Sequence, residues 1–271
     1  MKQVLATIAA ALFAVPATAA TIPSHCVALS DSGMIQNAAL NNRSDFNDET
    51  VRIHFIDHAT FIIEISDGTT VATDYTGYLG HEFVPDVITM NFAHTSHWTD
   101  NIPDGVQHVL RGWGSGGRAA NFFVEMENMT IRNVPTDIRN AFGRQIPNGN
   151  SIFIFESAGL CIGHLGHLHH EPTDAQYARI GRLDVVMVPV DGSTTMSQEA
   201  MINVMERLQA RIVIPMHWFG VNNVERFIRN MPDFDSELRE ENYIDVSLRT
   251  LPTQPTIVVL PPQLLQAVEG D

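Results

Sequence analysis

Histidine is concentrated in one short segment of this chain. The stretch CIGHLGHLHHE, residues 161–171, contains four of the 12 histidines in a sequence of 271 residues. Neutral imidazole is the commonest transition-metal ligand in proteins. By composition alone the segment indicates either a metal site or a chance cluster of histidines in a polar loop.

The same arrangement recurs at two other places. A histidine-bearing loop follows an apolar run at His94, at His164 and at His217. Loops at strand ends are where a rigid sheet places binding and catalytic groups. We therefore expect the three loops to converge, so that their imidazoles hold a metal ion together.

The flanking segments predict the elements that position these loops. VRIHFIDHATFIIEI, residues 51–65, reads as strand, turn and strand, and DVVMVPV and RIVIPMH are continuous apolar runs typical of strands buried on both faces. SQEAMINVMERLQA, residues 197–210, predicts a helix with one apolar face. Thr173 and Gln176 predict a capping box for another helix, which Gly181 ends.

The first 20 residues have the layout of a secretory signal peptide. One basic residue, an apolar centre and a small-residue cleavage site near Ala19 or Ala20 occur in that order. The apolar run is too short for a typical membrane span. We expect a periplasmic or secreted protein, with one domain at residues 21–271. In such a compartment Cys26 and Cys161 either pair as a disulfide or stay as two separate thiols.

The charge balance restricts the class of partner. A formal charge of −15 argues against a nucleic-acid partner, because phosphate contacts need a basic surface. The apolar share of 44% is that of an ordinary globular core. A small-molecule substrate is the partner we expect.

Three segments in the second half resemble the metallo-β-lactamase fold superfamily, in particular a small branch related to ascorbate-phosphate lactonases. They are GNSIFIFESAGLCIGHLGHLHH, GRLDVVMVPVDGSTT and RIVIPMHWF, in the order and spacing of that branch. In the first half, IDHATFIIE and Asp74 in VATDY are similar to its opening motifs. The resemblance implies an α+β fold, a four-layer αββα sandwich of two mixed β-sheets with one or two metal ions at their shared edge.

The resemblance also implies roles for individual residues. His94 and His97 fall in the family's His-x-His-x-Asp-His loop, His167 falls on its bridging aspartate, and His217 on its final histidine ligand. With His164, these are the five predicted metal ligands.

Further residues are expected around those ligands. Asp100 and His170 are predicted catalytic groups, Asp100 as a base or a ligand and His170 as a pocket residue. His58 matches a position that supports the site in the family, and Asp191 is a candidate carboxylate for orienting an imidazole.

The loop AHTSHWTDN departs from the family motif. Its two histidines are three positions apart, and Asn101 stands where a further histidine is expected. With His167 in place of the bridging carboxylate, one ion is favoured over two, since an imidazole normally binds a single ion. Zinc is the foremost candidate, and iron, manganese, copper and nickel also suit imidazole-rich sites.

Two functions from different classes fit this sequence. In the first, the protein is an exported metal-dependent hydrolase in which the ion activates water against a small ester, lactone or phosphodiester. In the second, it is a non-catalytic metal-binding or scaffold protein that has kept the fold and lost part of the site.

Overall fold

Two β-sheets pack face to face in the computed structural model of this protein. The structure describes residues 24–30, 47–80, 82–116, 118–140 and 142–266, so the predicted signal peptide lies outside the described residues. The strands in chain order are β1 (Val51–Asp57), β2 (Thr60–Ile65), β3 (Thr70–Ala72), β4 (Val87–Met90), β5 (His108–Arg111), β6 (Phe123–Glu125), β7 (Thr130–Arg139), β8 (Gln145–Ser157), β9 (Leu160–His164), β10 (Val185–Pro189), β11 (Ile212–Met216), β12 (Asp235–Leu238), β13 (Tyr243–Val246) and β14 (Thr256–Val259).

Both sheets are mixed. The six-stranded sheet has the order β13-β1-β2-β3-β4-β5, and the eight-stranded sheet has the order β12-β14-β11-β10-β9-β8-β7-β6. In the second sheet β9, β10, β11 and β14 run parallel to one another, so their carboxyl ends lie at one edge. The predicted strand pair at residues 51–65 is β1 and β2, which pair antiparallel.

The main core lies between the sheets. Phe55 and Phe61 of the first sheet stack with their ring centroids 4.7 Å apart, in one apolar cluster with Phe153 and Ile214 of the second. These side chains are buried almost completely, and apolar burial of this kind is the principal force that holds the two layers together.

The helices cover the outer face of the eight-stranded sheet. They are α1 (His25–Ser30), α2 (Asp174–Ile180), α3 (Gln198–Leu208) and α4 (Val221–Arg229). Met201 of α3 and Phe227 of α4 pack against Val186 and Val213 of the sheet. The predicted capping box is present at α2, where Thr173 and Gln176 satisfy each other's backbone groups.

Loops cover the outer face of the other sheet. Ile62, Ile88 and Met90 pack there against Tyr75 and Leu79, which lie in the segment after β3. The predicted α+β sandwich of two mixed sheets is confirmed; among the described residues its helical layer lies on one side, and connecting segments form the other. No helix in the described segments is long and apolar enough to cross a bilayer.

Candidate metal centre

Four histidines meet at the edge of the sandwich where strands of both sheets end. His94 and His97 lie in the loop after β4, His217 directly follows β11, and His58 lies in the turn between β1 and β2. Each offers one ring nitrogen, and the four nitrogens all lie within 4.8 Å of one another. We call these four residues the histidine cluster.

The backbone at this edge adopts conformations that residues with a Cβ rarely take. His58, Asp74 and His217 have φ angles of 48°, 40° and 54°, in the left-handed region. The amide of His217 donates to the carbonyl oxygen of His58 at 2.7 Å, which ties the two turns together. Left-handed residues other than glycine cost folding free energy and concentrate at functional sites.

Asp74 orients His97. Oδ2 of Asp74 lies 2.6 Å from Nδ1 of His97, and Oδ1 accepts from Nδ2 of Asn91 at 2.8 Å. Both partners are fully buried. The carboxylate fixes the proton of His97 on Nδ1 and leaves the lone pair of Nε2 available, the arrangement usual for metal-binding histidines.

Asp191 plays the corresponding part for His217. Its Oδ1 lies 3.3 Å from Nδ1 of His217, and both side chains are fully buried. Oδ2 accepts from the backbone amides of Ser193 at 2.9 Å and Thr194 at 2.6 Å. This agrees with the role expected for Asp191 from the sequence.

The donor set fits a metal ion. Among the described residues, the Nε2 atoms of His58, His97 and His217 are buried without a hydrogen-bond partner. A buried polar atom with no partner is costly, and a cation would satisfy all of these lone pairs.

The electrostatics of the cluster favour neutral rings. Burial, followed by repulsion from His217 and other histidines, lowers the pKa of His58 to about 3 and that of His97 well below its ordinary value. Burial and His217 also lower the pKa of His94. Only the unprotonated ring binds a metal, so these imidazoles are in the state that ligation requires.

His167 lies beside the cluster within a chain of hydrogen bonds. Its Nε2 is 3.1 Å from Nε2 of His94, and its Nδ1 is 2.5 Å from Nε2 of His169. Nδ1 of His169 in turn accepts from the backbone amide of Arg139 at 3.1 Å.

The Arg139 amide sets the protonation pattern of this chain. Since an amide only donates, Nδ1 of a neutral His169 carries no proton, and its Nε2–H donates to Nδ1 of His167. The remaining proton of His167 is then on Nε2 and points at Nε2 of His94. His94 completes the pattern with its Nδ1 2.7 Å from the hydroxyl of Ser96. In this tautomer His167 is a donor toward the site, and its role as a metal ligand stays a prediction from the sequence.

The structure gives His164 a different place from the predicted one. Because Leu160, Ile162 and His164 share one face of β9, the ring enters the space between the sheets, where Nε2 lies 2.8 Å from the carbonyl oxygen of Ala59. Nδ1 accepts from the amide of Gly166 at 3.2 Å. Nε2 therefore supports the β1–β2 turn that carries His58, Nδ1 binds the loop after β9, and neither is available to an ion.

The two predicted catalytic residues lie outside the histidine cluster. Asp100 and His170 are both exposed, and the ring of His170 is next to that of His169, with centroids 6.5 Å apart. The residues that sequence reasoning missed are Arg139 and Ser96, and His58 was expected only in a supporting role. The turn sequence IDHATF was the available signal for His58.

A cavity of about 550 Å³ opens beside the cluster. His94, His167 and His169 form one side of it, and Phe92, Ile138, Arg139 and Thr194 are among its other lining residues. Nη2 of Arg139 donates to the carbonyl oxygen of Thr195 at 3.1 Å. The cavity thus combines apolar walls with a guanidinium group next to the histidines.

Comparison with known proteins identifies the family. A profile of the β-lactamase superfamily domain matches residues 52–217, which is more than half of the chain and includes every member of the histidine cluster. The protein belongs to the β-lactamase superfamily. The superfamily resemblance drawn from the sequence is confirmed, and the match ends at His217, the last histidine of the cluster.

Individual relatives of this β-lactamase superfamily protein are distant. The UPF0173 metal-dependent hydrolase of Thermococcus kodakarensis is 26% identical, over 62% of this chain and 84% of that protein. A UPF0173 protein of Pyrococcus abyssi is 28% identical over 72 residues, and the chain matches only 33% of its length. The crystal structure of a candidate Zn-dependent hydrolase of the metallo-β-lactamase superfamily from Thermotoga maritima is 26% identical, with a TM-score of 0.57 over 77% of this chain and 98% of that one.

Proposed function

We propose that this protein is a metal-dependent hydrolase of a small ester, lactone or phosphodiester. The observation that carries the proposal is the set of buried ring nitrogens without partners on His58, His97 and His217, next to an open cavity. The similarity to a metal-dependent hydrolase and to a candidate Zn-dependent hydrolase supports it. Among the described residues, no carboxylate oxygen joins the four ring nitrogens that lie within 4.8 Å of one another, which favours one ion over two.

His58, His97 and His217 are the residues that would hold the ion. A divalent ion in such a site supplies Lewis acidity, which polarises the scissile bond and lowers the pKa of water. Asp74 and Asp191 keep the rings of His97 and His217 oriented with Nε2 toward the centre of the cluster. Three imidazoles are the ligand number of catalytic zinc sites, which keep further positions for water and substrate. Zinc is therefore the ion we propose first.

His94 and His167 act together on the reacting groups. Nε2–H of His167 is directed into the site by the contact of Nδ1 with His169. It can donate a hydrogen bond, or pass its proton, to the oxygen that leaves when the bond breaks. In the resting arrangement Nε2 of His94 accepts this hydrogen bond from His167, and Ser96 orients the ring of His94.

The cavity favours a substrate with an anionic group. Arg139 is exposed at its wall and can pair with a carboxylate or phosphate, while Phe92 and Ile138 offer apolar contact. The chain as a whole has a formal charge of −15. The guanidinium of Arg139 places a positive charge at the cavity, which would attract an anionic substrate to the site.

Export is part of the same proposal. The sequence of residues 1–20 supports it, and so does the disulfide between Cys26 and Cys161, because disulfides persist in oxidising compartments. The sequence resemblance to a branch related to ascorbate-phosphate lactonases supports lactones as the first substrates to test.

The experiment is a hydrolysis screen on the mature protein without a histidine tag. Protein stripped by a chelator and reloaded with Zn²⁺ would be assayed on lactones, carboxylic esters and phosphodiesters, with and without an anionic substituent. We expect metal-restored hydrolysis that is lost in His97→Ala/His217→Ala and kept in His108→Ala, a histidine of β5 outside the cluster. A folded, metal-loaded protein without activity on any class would contradict the proposal.

One observation favours the second candidate, a non-catalytic metal-binding protein. With His94 as a fourth ligand, four imidazoles would fill a tetrahedral shell and leave no position for substrate. His94→Ala separates the two functions. A hydrolase with three ligands keeps its ion and loses activity, whereas a closed site loses about 100-fold or more in metal affinity.

A further inference from the structure

A second group of metal-binding side chains lies on the far side of the eight-stranded sheet. Cys26 of α1 and Cys161 of β9 form a disulfide, with both residues fully buried. Nε2 of His25 lies 3.6 Å from Sγ of Cys26 and 3.7 Å from Sγ of Cys161. The two sulfurs and this nitrogen all lie within 4.8 Å of one another. We call these three residues the sulfur cluster.

His25 is oriented in the way that metal-binding histidines are. Its Nδ1 lies 2.9 Å from Oε2 of Glu156, so in the neutral ring the proton is on Nδ1 and the lone pair of Nε2 faces the sulfurs. Oε1 of Glu156 accepts from Oγ of Ser24 at 2.5 Å and from Nε of Arg132 at 2.7 Å. Burial on its own raises the pKa of Glu156, but the hydrogen bonds from His25, Ser24 and Arg132 lower it to about 2, so the carboxylate stays charged.

In the disulfide form this lone pair meets two sulfurs that carry no proton to donate. The orientation of His25 has a clear use only when the sulfurs are thiolates, since a cation between them would be bound by all three groups. Two thiolates and an imidazole suit Zn²⁺, which takes cysteine and histidine ligands together.

We propose that reduction converts the sulfur cluster into a Cys₂His site for one thiophilic divalent cation such as Zn²⁺. A dithiol reductant supplies two electrons and two protons, its own sulfurs become a disulfide, and Cys26 and Cys161 become thiols. Binding of the cation then releases both thiol protons. The site is separate from the histidine cluster and independent of the proposed hydrolysis.

The docking of α1 does not depend on the disulfide alone. The amide of Arg182 donates to the carbonyl oxygen of Cys26 at 3.1 Å, and Ser24 and His25 bond to Glu156. These contacts would hold the three ligands close together after reduction. Nη2 of Arg182 lies 3.7 Å from Sγ of Cys161, where its charge favours the thiolate. The side chain of His25 is 42% exposed and gives an ion a route to the buried sulfurs.

Cobalt substitution tests the proposal directly. The full mature chain would be reduced anaerobically with a dithiol, freed of excess reductant and titrated with Co²⁺. Thiolate-to-cobalt charge transfer in the near ultraviolet reports sulfur ligation, and the imidazoles of the histidine cluster do not produce it. We expect one thiolate-bound Co²⁺ per reduced chain, displaced by Zn²⁺, and none in the oxidised protein.

Variants identify the ligands. Cys26→Ser/Cys161→Ser should abolish the charge-transfer band, and His25→Ala, which leaves the cysteines intact, should weaken Co²⁺ binding about tenfold or more. His108→Ala is the matched control and should bind as the wild type does. A reduced wild-type protein that stays folded by circular dichroism and gives no band would overturn the proposal. So would an unchanged affinity in His25→Ala.

Discussion

Asp74 and Asp191 each orient a buried histidine of the same cluster, yet their surroundings are opposite in character. Asp74 has two side-chain partners, Asn91 and His97. Asp191 lies inside a tight turn, where hydroxyl and amide groups of residues 193–195 all donate to it. Asp74 thus has one side-chain donor besides the ring it holds, whereas Asp191 has several.

The difference shows in their proton affinities. Burial raises the pKa of Asp74 to about 6, against the opposing effects of His164 and Asn91. Burial also acts to raise the pKa of Asp191, but His217, Thr195 and Ser193 outweigh it and keep that pKa below its usual range. The two carboxylate–histidine pairs therefore differ in the pKa of the carboxyl group, because the hydrogen-bond donors around each carboxylate differ in number.

The largest expected effect is on Zn²⁺ affinity, when the histidine of either pair is replaced. His97→Ala and His217→Ala should each lower Zn²⁺ affinity by more than about 100-fold, beyond the 10- to 100-fold usual for outer partners. Competition with a chromophoric chelator measures this. An affinity within a few-fold of wild type in either variant would remove that histidine from the ligand set.

Replacement of the carboxylates should separate the two pairs. Asp191→Asn places an amide group against the donors of Ser193 and Thr194, and should cost about 2–3 kcal/mol of unfolding free energy. Asp74→Asn should cost less, because its carboxyl group already binds a proton easily. Urea denaturation of the metal-free proteins gives both values. Equal losses of unfolding free energy in the two variants would contradict the proposed difference between the surroundings of Asp74 and Asp191.

The pH dependence of metal-free stability should also differ between the pairs. The folded-state pKa of Asp74 lies above the unfolded value of 3.8, so its contribution is present below pH 3.8 and lost as pH rises through about 6. Over that window the loss is about 3 kcal/mol, at about 1.4 kcal/mol per pKa unit. Asp191 has a lowered pKa, so its contribution is present above 3.8 and lost as pH falls below it.

Unfolding free energies between pH 2 and pH 7 check these signs. Relative to wild type, Asp74→Asn should become more stable as pH rises across that range. Asp191→Asn should show its deficit at pH 7 and a smaller one at the acid end. If both variants showed the same pH dependence of unfolding free energy as the wild type, the difference inferred between Asp74 and Asp191 would be contradicted.

The smallest effect is expected at Arg139, which lines the cavity beside the histidine cluster. Arg139→Gln should raise KM for an anionic substrate about tenfold through loss of a charged hydrogen bond, while Zn²⁺ affinity stays within about twofold. Arg139→Lys, which keeps the charge, is the matched variant and should lie between. A KM that is unchanged for anionic substrates and for neutral ones alike would exclude Arg139 from substrate binding.

Much of the fold was predictable because its signals are local. The alternation in VRIHFIDHATFIIEI is β1 and β2, and the Thr173–Gln176 capping box begins α2. Met201, Val204 and Met205 are buried on the face expected of α3. The disulfide was an open alternative, because the approach of α1 to β9 depends on tertiary packing across 135 residues.

The site was predictable only in part. Sequence placed histidines after three buried strands, and two of those loops, at His94 and His217, do meet. It could not show that His164 turns between the sheets, nor that a left-handed turn brings His58 into the cluster. The protonation of His167 depends on the direction of one backbone amide, at Arg139. The residue types in the sequence do not indicate where a backbone amide points.

The central claim is that one ion is held by His58, His97 and His217 at an open site. Elemental analysis of the mature, untagged protein, beside His97→Ala/His217→Ala and His94→Ala, tests it most directly. We predict about one ion per wild-type chain, none in the double variant, and about one in His94→Ala. A folded wild-type protein with no bound ion, with two, or with its single ion lost in His94→Ala would contradict the account.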